Sequence, residues 1–75
     1  MAKTNEIIDL NKMLTEREIQ VLQHISNGFE DKEIAHIMDI SVHTVRAFVH
    51  KIIQKLSAKN RVHAACNALR LGLIK

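Results

Sequence analysis

The sequence has 75 residues, of which 47% are apolar, with only two aromatic residues, no proline and a formal net charge of +3. That suffices for one domain with one core, and a chain this short buries only ~60–65% of its unfolded surface. No run approaches the ~18 apolar residues of a membrane span, the first residues lack the apolar core of a signal peptide, and the lone Cys66 excludes an internal disulfide framework and fits a reducing cytoplasm.

The charge is unevenly spread. Residues 1–39 hold eight acids and four bases, a balance of −4; residues 40–75 hold seven bases and no acid, a balance of +7. Such asymmetry points to a polyanionic partner for the second half. A solvated basic surface would account for the charge equally well.

Residues 1–13 have weak periodicity and read as an arm, flexible or a short helix, ahead of a domain over 14–75. The first helix is expected over about 15–27. Thr15 and Glu18 have capping-box spacing, and Leu14 and Ile19 stand at the staple positions on either side. Ile19, Leu22 and Ile25 mark its buried face with Val21 beside it, and Gly28 supplies the left-handed residue that ends it. The second helix, about 31–38, takes Asp31 as its N-cap, and the acids Glu30, Asp31 and Glu33 suit a positive helix end. Ile34, Ala35 and Met38 form its apolar stripe.

Asp39-Ile40-Ser41 then makes a short connection, and Ser41 caps a third helix over about 41–56. Val42, Val45, Val49, Ile52 and Leu56 form one face of this helix. At ~100° per residue, His43, Ala47, His50 and Gln54 lie opposite, flanked by Arg46 and Lys51. One side wants a core; the other is basic, lined by a small residue and rich in donors. A helix entering a DNA major groove needs that division. Two helices joined by a turn of three or four residues, the second basic outward, form a helix-turn-helix. Ser57-Ala58-Lys59 breaks the pattern, and Asn60 caps a fourth helix over about 61–71, ended by Gly72. That helix has two apolar facets: Ala64, Ala65, Ala68 and Leu71 on one, Val62, Cys66 and Leu69 on the other. The second is either further core or a subunit contact.

The chain resembles the LuxR-type (GerE-like) helix-turn-helix domain of bacterial transcription regulators. The matching residues are Leu14-Thr15-Glu16-Arg17-Glu18, Val21-Leu22, Gly28, Lys32-Glu33-Ile34-Ala35, Ile40-Ser41, Thr44-Val45-Arg46, Lys55-Leu56, Arg61, Ala64 and Gly72-Leu73-Ile74. The resemblance implies an all-α, four-helix domain that binds double-stranded DNA as a homodimer, with its third helix in the major groove. By matching position, Arg46, Ala47 and His50 would face base edges, and Lys32, Thr44, Lys51, Lys55 and Arg61 the backbone. His43, on the same face as His50, joins the base contacts, and Lys59 the phosphate contacts. The dimer would form through Val62, Cys66 and Leu69, with His63 and Arg70 on the rim. The chain departs from the family pattern in three places. Phe48 stands where histidine is usual, Glu30-Asp31 replaces Ser-Asn, and Ser57-Ala58 replaces Gly-Val. Phe48 is expected at the edge of the core.

Cys66 reads as a structural thiol, and the five histidines match no metal-ligand spacing. No phosphate loop, small-molecule site or nucleophile–base constellation is visible, so neither an enzyme nor a cofactor is expected. The expected protein is a cytoplasmic, nucleoid-associated regulator, with RNA polymerase a further candidate partner. Two other readings remain: a promoter-binding module like sigma-factor region 4, and an adaptor whose helix-turn-helix binds another protein.

Overall fold

In the computed structural model, which describes residues 14–75, the helices are α1 (Glu16–Ser26), α2 (Asp31–Met38), α3 (Val42–Lys55) and α4 (Arg61–Arg70). No strand occurs among the described residues. The arm expected over residues 1–13 lies outside them.

Each helix starts where the local sequence satisfies its first amides. The Thr15 hydroxyl accepts from the Glu18 amide at 3.1 Å, and Glu18 Oε1 accepts from the Thr15 amide at 2.8 Å. Ser41 Oγ accepts from Thr44 and Asn60 Oδ1 from His63, so α3 and α4 begin at their expected caps. The start of α2 differs from expectation. Glu30 is the N-cap and Asp31 the first helical residue. The Glu33 carboxylate reaches back to the Glu30 amide at 2.8 Å, which moves the start one residue earlier and releases the Asp31 side chain for other partners.

All four helices end in the same way. Paired 6→1 and 5→2 hydrogen bonds close each C-terminus, from Phe29 to His24 and Gly28 to Ile25, and equivalently at Ile40, Ala58 and Leu73. The motif requires a left-handed residue, supplied by Gly28, Asp39, Ser57 and Gly72. Two of these four are not glycine, and Ser57 stands where the family pattern has Gly.

The core forms around Val21, Leu22, Ile34, Val45 and Ile52, all fully buried. α1 packs across α3 and α4, and α2 lies against α3. Ala64, Ala65 and Ala68 are buried, so α4 offers its neighbours small side chains that permit close approach. Phe48 packs against this core from its edge. Two expectations are corrected. The deepest line of α1 is Glu18, Val21 and Leu22, while Ile19 and Ile25 are half-buried. Leu71 is 49% exposed, because α4 stops at Arg70 and the returning chain places Ile74 in the core instead. The Gln23 amide secures that return by bonding both the N–H and the C=O of Lys75 at 2.9 Å.

Candidate nucleic-acid interface

The packing of α3 decides which of its residues face outward. With Val45, Val49 and Ile52 buried, His43, Arg46, Ala47, His50, Lys51 and Gln54 line one open depression on the opposite side. Ala47 leaves its floor low, and the polar side chains stand around it. The hydroxyls of Ser41 and Thr44 lie 2.9 Å apart at the N-terminal end of this face. Thr44 borders a second, smaller hollow with Ala47, Phe48 and Lys51. The four residues expected at base edges are thus on one exposed surface.

The cations expected at phosphates are of two kinds. Lys32, Lys51 and Lys59 are exposed. Lys55 and Arg61 are held by acids. Lys55 Nζ donates to both oxygens of Glu18, at 2.9 and 3.1 Å, and Glu18 is only 2% exposed. Burial pushes the Glu18 carboxyl up, but the Thr15 amide and the Lys55 ammonium together hold it below the ordinary glutamate value. Arg61 donates to Asp31 through both terminal nitrogens, at 2.7 and 3.3 Å. The paired Arg61 is the main reason that the Asp31 carboxyl sits below its ordinary value despite partial burial. Arg46 Nε also approaches Asp31 Oδ2, at 3.5 Å. These acid–base pairs join residues 37, 30 and 15 positions apart. The one local hint was that Lys55 follows Ile52 by one turn and so falls beside the buried stripe.

The second facet of α4 faces away from the core. Val62 is 66% and Leu69 46% exposed, Arg70 is exposed, and Cys66 and His63 are half-buried. His63 Nδ1 accepts from the Lys59 amide, which leaves the proton of the neutral ring on Nε2. Among the described residues no three His, Cys, Asp or Glu side chains cluster as a metal site, and no helix is long and apolar enough to cross a membrane.

Residues 12–68 match the model of the bacterial regulatory proteins of the luxR family. The chain belongs to the luxR family. Its similarity extends to the transcriptional regulatory protein LnrK of Bacillus subtilis, 42% identical over 71 residues, covering 95% of this chain and 30% of that protein. It extends also to the response regulator VraR of Staphylococcus aureus, 37% identical over 67 residues, covering 89% of this chain and 32% of that protein. The solved structure of the transcription factor GerE superposes with a TM-score of 0.81 at 35% identity, covering 84% of this chain and 94% of that one. The chain spans about a third of the length of these regulatory relatives. The four helices are therefore those of a luxR-type, DNA-binding regulator domain, an all-α helix-turn-helix unit in a family of regulators rather than enzymes.

Proposed function

We propose that this luxR-type domain reads double-stranded DNA with α3 in the major groove and regulates transcription from the sites it selects. The observation that carries the reading is the exposed, acid-free face of α3, set by a core that fills the opposite side. Arg46 supplies a guanidinium fork for guanine, Ala47 a methyl for close approach to thymine, and His50 and His43 donors or acceptors along the same groove. Lys32, Lys51 and Lys59 approach phosphates directly, with the Thr44 hydroxyl at the start of α3. Arg61 and Lys55 add charge from within their ion pairs, with Lys55 chiefly the counterion of Glu18.

The domain acts as a homodimer through Val62, Cys66 and Leu69, with His63 and Arg70 around them. Exposed apolar side chains on a facet the core does not use support this. Two α3 helices then address half-sites about one helical turn, ~10 bp, apart. The name of LnrK, a transcriptional regulatory protein, agrees with a role in transcription.

In vitro selection of bound duplexes at defined salt tests the reading. A recurring motif is expected, and Arg46→Ala should cost ~1–3 kcal/mol on it while sparing random DNA. An equal loss on both would remove Arg46 from base reading.

A further inference from the structure

Asp31 opens α2, yet its carboxylate joins three helices. Its side chain is 16% exposed. Oδ1 accepts from Arg61 Nη1 at 2.7 Å, and Oδ2 accepts from Arg61 Nη2 at 3.3 Å and from Arg46 Nε at 3.5 Å. The two-pronged contact with Arg61, at the start of α4, fixes the plane of the carboxylate. The third contact uses only the Nε–H of Arg46. Both terminal nitrogens of that guanidinium stay outside the pair, and those are the groups that a guanine O6/N7 edge requires. Without an anchor, a largely exposed arginine samples many rotamers, and ordering it opposes recognition.

We propose that Asp31 is a specificity-determining positioning residue: fixed by Arg61, it holds Arg46 by Nε so that the outer edge of the guanidinium is presented to one base pair. The proposal rests on the reading of Arg46 as a base contact. It also gives the acid a use at a surface meant for phosphates. Arg61 and Arg46 together outweigh the charge of Asp31, so the cluster remains cationic. The Arg46 contact is long and its side chain 68% exposed, so the effect is that of a weak pair, about 2–5-fold in discrimination.

The test measures the ratio of affinities for the selected site and a scrambled duplex, each ratio on one protein sample so that any unfolded fraction cancels. Asp31→Asn should lower the ratio about 2–5-fold, while binding to the scrambled duplex holds or rises because a negative charge has gone. Asp31→Ser, a shorter side chain, should do the same. In an Arg46→Ala background neither substitution should change the ratio further. Equal strengthening on both duplexes would make Asp31 a general repellent and overturn the proposal. So would a drop that persists without Arg46. Should Arg46→Ala alone leave the ratio unchanged, the base-reading role itself has failed, and the positioning role falls with it.

Discussion

Lys55→Met removes the counterion of Glu18, the one charged residue buried among those described, while keeping an apolar stem of similar length. Losing one partner of a fully buried pair costs about 3–5 kcal/mol. Here the Lys55 side chain is one-third exposed, so water screens part of the interaction, and the Thr15 amide still serves Glu18. The expected cost is about 2–3 kcal/mol, against a total of about 4–11 kcal/mol for a domain of this size. Thermal unfolding followed by far-UV circular dichroism at pH 7 should show Tm falling by roughly 10–20 °C. Glu18→Gln keeps an acceptor for Thr15 but removes the charge, and in that background Lys55→Met should cost under about 1 kcal/mol. The pH dependence has a definite sign. In the parent, Glu18 titrates below its ordinary value, so its stabilisation is present above that value and is lost as pH falls through the lowered one. In Lys55→Met the ammonium that helps hold the carboxyl down is gone, so the carboxyl moves up from its place in the parent, and the deficit is largest near neutrality and narrows as pH falls into the carboxylate range. A Tm within ~3 °C of the parent, or the same loss in both backgrounds, would refute the pairing. Such destabilisation would also lower apparent DNA affinity, so Lys55 variants need correction for folded fraction.

Three further outcomes follow from particular geometries. Ser57 holds φ +52° at the end of α3, so Ser57→Gly should stabilise the domain by about 0.5–1 kcal/mol in urea titration; a loss of stability would mean the serine side chain has a role there. Thr15→Ala removes the acceptor for the Glu18 amide and should cost ~1 kcal/mol in the same titration, whereas an unchanged midpoint would show that the cap contributes nothing. Leu69→Glu places a charge in the exposed facet of α4 and should yield monomers by sedimentation; a mutant that stays dimeric would place the interface elsewhere.

Much of the fold was legible because its signals are local. Thr15, Ser41 and Asn60 cap where their side chains can reach an amide three residues on, and Gly28 and Gly72 sit at left-handed turns. The 3-4 spacing of Val42 to Leu56 sufficed to separate the core face of α3 from its outer face. What could not be read depends on how helices meet. Capping-box spacing gives Glu18 a local role only, and the arrival of α3 across α1 is what brings Lys55 to it. Asp31 looked like the N-cap of α2, yet Glu30 and Glu33 close the cap one residue earlier, and Arg61 and Arg46 claim its carboxylate. Leu71 matched the period of the core facet, but helical period loses its meaning where the chain turns back and Ile74 takes the buried place.

DNA binding is proposed for the outer face of α3, which carries no acid of its own. Its most direct test is the affinity of the chain for a random-sequence duplex, measured between 50 and 200 mM salt. With Lys32, Lys51 and Lys59 at phosphates, the logarithm of the association constant should fall against the logarithm of salt with a slope of roughly −3 per protomer. Lys51→Ala should reduce that slope by about one unit. Binding that is absent, or that does not change with salt, would contradict the account and favour an adaptor that uses this fold to bind protein.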